Sequence, residues 1–525
     1  MEDAASRIFS MARRSQACQV LILGLGLSFL HVADIESEVS APFGSDASIR
    51  EVIPGVTLYE GWLGHGEGDW VVTVRRRGSA GWQVLHSRRE ARGLQRRLKK
   101  HGFAAKASRL LWPDGVVGPR RVAGVRVRLD ASYGERGDAR DAADRLKADG
   151  FNAVVEWTGA DPDSDATRTL AALLVVDPAR ANIGLRPDYG DVLAEASRVQ
   201  DIASDAVAGV NGGFFVTKDS YGIPGTPAGI GVYEDGTVLS EATNGRAAVI
   251  VHEQRPTVQI SRLSTKMSAR TGKESREVDG VNRRPGLIRN CGGVGGDKPT
   301  EMPLHDVTCT DPDELVVFTE ELGRPTPRSS GVELIVGSDT IVTEIREPGG
   351  AIPSGGYTIQ GTGDAAEWLR ANASVGAPFE MDIRITDAEG EDVELAPGTG
   401  VINGGPVLVR DGKVSIDLAT EGLIREEDRS FPYVWAVKRH PRTAIGLDAR
   451  GRILLLAVSG RQPGVSDGLG LHEVAEVLST LGADRAVALD GGGSTTMVVE
   501  GDPVIVGDAR EGQRKVADAL TLVTP

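Results

Sequence analysis

The stretch Ala486-Val487-Ala488-Leu489-Asp490-Gly491-Gly492-Gly493-Ser494-Thr495-Thr496 holds the strongest local signal in the chain. Four apolar residues fit a buried strand, and the acid at its end is followed by glycines and then hydroxyls. Just upstream, Leu471, Val474, Ala475, Leu478 and Leu481 fall on one helical face, with Gly482 where a helix would stop. The unit reads as helix, strand, acid, glycine loop. Such glycines let the backbone approach a ligand, and their N–H groups can form an anion-binding nest. The loop is neither a P-loop nor a dinucleotide fingerprint, since no Gly-Lys-Ser/Thr follows it and no GxGxxG opens a helix.

Similar turns recur upstream: Val210-Asn211-Gly212-Gly213-Phe214-Phe215, then Gly225-Thr226-Pro227-Ala228-Gly229, then Val401-Ile402-Asn403-Gly404-Gly405-Pro406. Their alternation with short apolar runs predicts an α+β fold in which a mixed sheet delivers several loops to one rim, where chemistry usually sits. Together NGGFF, Arg442-Thr443-Ala444-Ile445-Gly446, the Val458-Ser459-Gly460-Arg461 turn and DGGGST, in that order, resemble the phosphodiester glycosidase family over about residues 166–525. Asn403, in a turn often all glycine in that family, and Ser459, where an Asp is common, depart from its pattern and put substrate preference in doubt.

The resemblance implies hydrolysis of a sugar-1-phosphodiester to free sugar and a phosphomonoester. Phosphate is a good leaving group, so the reaction depends less on a strong general acid than ordinary glycoside hydrolysis does. It needs a carboxylate to stabilise the oxocarbenium-like centre or activate water, and cations or N–H groups to hold the phosphate. Asp490 is the first choice for the carboxylate; its alternative reading is a loop residue capping local N–H groups. Arg442, then Arg461, then Arg289 and Arg246 suit the phosphate, because a guanidinium matches its oxygens bidentately. Asn211 and Asn403 either bond sugar hydroxyls or fill left-handed turn positions. Gly212, Gly213, Thr226, Gly404, Gly492, Ser494 and Thr495 complete the expected ligand-binding loops. Either His305 and Asp306 form an acid/base pair or His305 is a satisfied surface histidine. No GxSxG or HExxH motif is present. Ca²⁺ or Mg²⁺ is possible through Asp, Asn and backbone carbonyls, but no EF-hand pattern commits the chain to a metal.

The N-terminal half carries an internal repeat. At an offset of 48, Ala91, Arg92, Arg97, Leu98, Lys99, Gly102 and Phe103 match Ala139, Arg140, Arg145, Leu146, Lys147, Gly150 and Phe151. Each copy reads as strand, helix, strand, with a glycine stop before the phenylalanine. A duplicated βαβ unit of this kind resembles the SPOR domain, which implies a ferredoxin-like fold and a peptidoglycan glycan strand as partner; any small ferredoxin-like fold would give the same periodicity. Ile49–Tyr59 and Thr167–Asp177 flank it as strands of another unit, so the repeat reads as an insertion. The expected division is a signal peptide or anchor (1–33), a segment packing on the catalytic domain (34–69), the repeat (70–158) and the glycosidase domain (166–525).

Composition bounds these readings. A chain of 525 residues exceeds a single core, and its 40% hydrophobic and 25% charged residues suit globular domains. A net charge of −15 speaks against nucleic acid as the general partner. Yet residues 71–110 hold twelve Lys or Arg against the single acid Glu90, either a solvated helix face or a patch for an anionic envelope polymer. Arg13 and Arg14 before the apolar stretch 17–30 follow the order of a signal peptide, cleaved or kept as an anchor; no later segment is long and apolar enough for a membrane span. An exported context permits a Cys291–Cys309 disulfide, which would constrain the unfolded chain by roughly 3 kcal/mol. The sequence therefore points to a secreted or envelope hydrolase. A non-catalytic wall-carbohydrate-binding protein and a different wall hydrolase are the alternatives.

Overall fold

The computed structural model describes residues 41–43, 46–76, 84–120, 122–165, 167–233, 236–253, 256–291, 303–425, 428 and 430–524. The apolar stretch 17–30 lies outside these. The centre is an eight-stranded sheet in the order Ser48–Ile53, Val56–Leu63, Thr169–Val176, Ile453–Val458, Arg442–Asp448, Ala483–Ala488, Val407–Arg410 and Lys413–Val414. All its neighbours are antiparallel. The mixed character expected from sequence is confined to short parallel pairings elsewhere, Gly280–Val281 with Val316–Val317 and Ile416–Asp417 with Val116–Val117. Parallel neighbours need long crossovers, usually helical, and this strand-rich chain has few helices.

The central strands are continuous apolar runs because both of their faces are covered. Leu173, Val175, Leu454 and Leu456 point into a core shared with Leu471, Val474 and Leu478 of the helix Leu471–Thr480. Their alternates Ala172, Leu174, Leu455 and Ala457 point the other way, onto Val210, Val249, Ile402 and Leu520. Those residues belong to two five-stranded antiparallel sheets, one holding Ala208–Asn211 and Ala519–Val523, the other Thr399–Asn403 and Ala247–His252. Period-two alternation thus sorts each run between two cores.

The stretch Ile49–Tyr59, read as one strand, is a hairpin: the chain turns at Pro54-Gly55, where Gly55 takes φ +84° against the Ala181 backbone. Residues 264–386 enclose a further core of their own, around Leu315, Leu334, Ile359, Leu369 and Phe379, which sequence periodicity did not separate from the rest.

The repeat forms a four-stranded antiparallel sheet ordered Ala105–Leu111, Val122–Tyr133, Trp70–Arg75, Asn152–Trp157. The helices Arg88–Lys100 and Arg136–Ala148 share one core with it. In order of sequence the strands run 4-1-3-2, the ferredoxin-like topology. Its opposite face turns to the body of the protein. There Arg126 and Arg128 pair with Asp161, and Lys438 lies 3.4 Å from Asp161 and 3.7 Å from Glu156. Removing Leu455 to Cβ (Leu455→Ala) should cost roughly 2–5 kcal/mol in urea unfolding; a loss under about 1 kcal/mol would mean that the second face of the central sheet is not packed as described.

Candidate functional site

Four chain reversals meet at one edge of the central sheet: the end of Ala483–Ala488, the start of Arg442–Asp448, the end of Ile453–Val458 and the end of Ala208–Asn211. Asn211 ties three of them. Its Nδ2 donates to the carbonyl of Asp490 at 2.7 Å, and its Oδ1 accepts from Thr443 Oγ1 at 2.6 Å and from the Thr496 N–H at 3.1 Å. Asn403 does the same one layer away, accepting the Phe214 N–H at 2.8 Å and donating to the Phe214 carbonyl at 3.1 Å. Both amides are buried and committed to the protein, so they build the site from behind instead of facing a sugar.

Gly212 and Gly213 follow from the same geometry. A Cβ on Gly212 would lie 2.3 Å from Asp518 Oδ1, and one on Gly213 would lie 2.5 Å from the Asn403 carbonyl oxygen. Asp518, which no sequence motif pointed to, accepts the Gly213 N–H at 2.9 Å and the Tyr233 hydroxyl at 2.6 Å. Thr226 is buried with its hydroxyl donating to the Ile223 carbonyl, and Gly404 donates its N–H to Ala247. Neither lines the hollow in front.

That hollow measures about 430 Å³. Of the expected residues it gathers Asp490, Arg442, Arg461, Arg289, Gly492, His305 and Asp306, and it adds Gly491, Gly493, Arg514, His440, Phe214, Phe431 and Trp435. Asp490 stands at its wall, with Oδ1 accepting the Gly491 N–H at 2.8 Å. Burial pushes its carboxyl up to about 6, against the Ser494 hydroxyl, the Gly491 N–H and Arg514, which favour the charge, while Asp518 adds to the rise. Ser494 and Thr495 are themselves fully buried behind the loop.

Two guanidinium groups lie on the glycine loop. A Cβ on Gly492, at φ +63°, would meet the Arg461 guanidinium at 3.1 Å, and one on Gly493 would meet that of Arg514 at 2.4 Å. Arg442 is held more tightly: it donates to the Leu469 carbonyl at 3.2 Å and the Trp435 carbonyl at 2.5 Å, so its fork organises the rim as well as charging it. Burial, with the neighbouring Arg461, brings it down to about 9. Arg289 ion-pairs with Asp306 and crosses the face of Tyr221.

His305 and Asp306, read as one possible acid/base pair, are separated in function by their surroundings. Asp306 is bound to Arg289, whereas buried His305 packs edge-on against Phe214 (4.8 Å) and Trp435 (4.3 Å). Buried Arg246, which lies outside the hollow, approaches His305 Nδ1 at 2.8 Å; a guanidinium only donates, so Nδ1 accepts and the ring proton sits on Nε2. His440 is fixed likewise, its Nε2 3.0 Å from the Val434 carbonyl and its Nδ1 accepting from Arg461. Burial and then the surrounding arginines hold both rings well below the usual histidine range, so both are neutral. Cys291 and Cys309 are bonded at 2.06 Å. No cluster of three His, Cys, Asp or Glu that could hold a metal occurs among the described residues.

The model of the phosphodiester glycosidase family matches residues 330–523. Over 182 residues the chain is 30% identical to N-acetylglucosamine-1-phosphodiester alpha-N-acetylglucosaminidase of Bos taurus, covering 34% of this chain and 33% of that protein. The human protein of the same name is 32% identical over 136 residues, 25% of this chain and 24% of that one. The matched stretch thus spans a third or less of these curated relatives. A crystal structure of a Burkholderia pseudomallei protein whose name presumes export covers 91% of this chain and 96% of its own, at 28% identity and a TM-score of 0.76. A Synechocystis protein of 18% identity and TM-score 0.53 shares the fold.

The two glycines at the crux of the site should respond differently. Gly213→Ala meets backbone and should lower the melting temperature markedly. Gly493→Ala meets only the tip of Arg514 and should leave melting nearly unchanged while weakening binding of inorganic phosphate. Equal effects of the two on melting would overturn this placement of Arg514. Asp490 gives a second test. Its folded value lies above the 3.8 of an ordinary aspartate, so ionised Asp490 costs stability above pH 6, and the cost fades as pH falls toward 3.8. Asp490→Asn should therefore raise the melting temperature at neutral pH and not at about pH 4; a lower neutral-pH melting temperature would identify the carboxylate as a structural cap.

Proposed function

We propose that the chain hydrolyses a glycosyl phosphodiester, releasing the free sugar and a phosphomonoester. The observation that carries this reading is the convergence of Asp490 with Arg442, Arg461 and Arg514 on one hollow floored by a glycine loop and walled by Phe214, His305 and Trp435. The match to the phosphodiester glycosidase family over residues 330–523 supports a glycosidase hydrolase.

The diester phosphate sits against Arg461 and Arg514, with Arg442 and Arg289 behind, where charge-assisted bonds are strongest. The sugar ring packs on the aromatic wall. Asp490, ionised, accepts a proton from water as the water oxygen bonds to the anomeric carbon. The bond from that carbon to the phosphate oxygen breaks, and its electrons leave with the phosphate. No protonated histidine is available to assist the departure, and a phosphate needs none. His305 offers only its neutral Nε2–H to the substrate.

The disulfide and the resemblance to a presumed exported protein support an extracytoplasmic location, secreted or in the cell envelope. Targeting to the wall, with peptidoglycan glycan strands as the partner, rests on the resemblance of the repeat to the SPOR domain. Among the described residues no helix is long and apolar enough to cross a membrane.

Turnover of a panel of chromogenic sugar-1-phosphodiesters tests the reaction. Its kcat/KM should rise with pH through about 6 and level off, because the ionised carboxylate is the working form. Asp490→Asn should lower kcat by roughly 100-fold or more and abolish that rise. Full activity in Asp490→Asn removes the assignment, and saturable sugar binding without turnover in the wild type would favour a binding protein.

A further inference from the structure

The insert's two helices are copies of one repeat, so each serves as a control for the other. They share buried Ala91 with Ala139 and Leu98 with Leu146, and exposed Arg92 with Arg140, Arg97 with Arg145, and Lys99 with Lys147. The fold therefore sets the apolar positions and four of the cations, since exposed Arg88 matches Arg136 as well. It does not set the rest. Where Arg136–Ala148 has Gly137, Asp141, Asp144 and Ala148, Arg88–Lys100 has Arg89, Gly93, Arg96 and Lys100. One helix thus carries four cations and three acids, the other seven cations and one acid.

The single acid, Glu90, is already engaged: Arg76 lies 3.7 Å from it, and it accepts the His86 N–H. Among the described residues no ion pair joins any of the seven helix cations to an acid. All seven are exposed, and Lys106 and Arg109 of the adjoining strand Ala105–Leu111 are exposed as well. Because the insert's other face turns to Asp161 and Lys438, the helix layer is its outward surface. Arg88, Arg92, Arg96 and Lys100 stand four residues apart, a row with a rise of about 6 Å per step.

A row of cations on a chain of net charge −15 fits a thin, flexible polyanion better than a nucleic-acid duplex. A duplex would bring a broad acidic surface within a Debye length, about 8 Å at physiological salt, of its phosphates. We infer that this helix layer docks an anionic polymer of phosphodiester-linked sugars, holding successive phosphates along the row while one linkage enters the hollow. The identity of the polymer as substrate rests on the proposed hydrolysis; its docking does not. Each contact is weak, and the gain comes from many at once.

The experiment removes from the first helix, in the full chain, the three cations its sister lacks, Arg89→Ala, Arg96→Asp and Lys100→Ala together, with Arg140→Ala on the second helix as control. Retention on an immobilised polysaccharide of 1-phosphodiester-linked hexoses is read in the Asp490→Asn background, and KM for the same polymer and for a monomeric chromogenic phosphodiester in the active background. The swap should weaken retention and raise the polymer KM by roughly tenfold or more, flatten its salt dependence and leave the monomer KM alone; Arg140→Ala should do little. Unchanged retention with a folded swap variant overturns the docking. So does equal retention of a DNA duplex, or of uncharged peptidoglycan glycan strands with no effect of the swap. Charge-dependent retention without any turnover would leave the docking standing and sink the hydrolase reading instead.

Discussion

The site depends on the side chain of Asn211, a buried amide whose donor and acceptor hold three separated segments in register. Through it the strand Ala208–Asn211 grips the carbonyl of Asp490, the hydroxyl of Thr443 and the N–H of Thr496. No apolar side chain could replace it without leaving a buried carbonyl and a buried N–H unpaired, which costs more than an ordinary hydrogen bond gains. Once this knot is tied, the chain must pass between Asp518 and Asn403, and only glycines fit there. The next residue, Phe214, is then pinned through both its N–H and its carbonyl, so its ring becomes a fixed wall on which His305 and Trp435 pack.

The insert is coupled to this arrangement by consecutive buried cations. Lys438 reaches Glu156 and Asp161, and Arg439 donates to the carbonyls of Gly159 and Ser164 while its fork holds Glu473 at the start of the helix Leu471–Thr480. Trp157 donates its indole N–H to Asp467 at 2.7 Å. The residues that follow are His440 and Arg442, which face the hollow. The exit from the insert thus fixes the rim segment that carries Trp435 and Arg442. Buried charge pairs of this kind add little net stability but penalise alternative arrangements, since any other register strands a charge.

The parts of this architecture legible in the sequence are those with a period. The runs at 167–177 and 486–489 read as strands, and the 48-residue repeat contained the ferredoxin-like insert in outline. The glycine turns marked the site because close approach restricts residue type. What a turn motif does not reveal is the direction of its polar side chain: Asn211 and Asn403 lie in the right loops and point into the protein. Arg514 and Asp518 belong to no motif, because their roles arise from contacts with glycines at positions 493 and 212, remote in sequence. The separate core of residues 264–386 was invisible for a similar reason, since alternation shows that a strand has a buried face but not which sheet it joins.

The charge balance of the hollow ties these pieces to the proposed chemistry. Burial depresses Arg442 and Arg461, with Arg461 adding to the fall at Arg442 and Arg514 to the fall at Arg461, so each gains when an anion settles beside it. A phosphodiester brings one negative charge and ionised Asp490 supplies another. In the proposed reaction the phosphate gains a charge as it leaves, and Asp490 loses its own by taking the proton of the attacking water. The total is constant but shifts from Asp490 toward the arginines, so the fixed array meets the charge that develops on the leaving phosphate without having to reorganise. A protonated His305 or His440 would upset that balance by adding a cation, and the burial that keeps both rings neutral is therefore as much a part of the site as the arginines themselves.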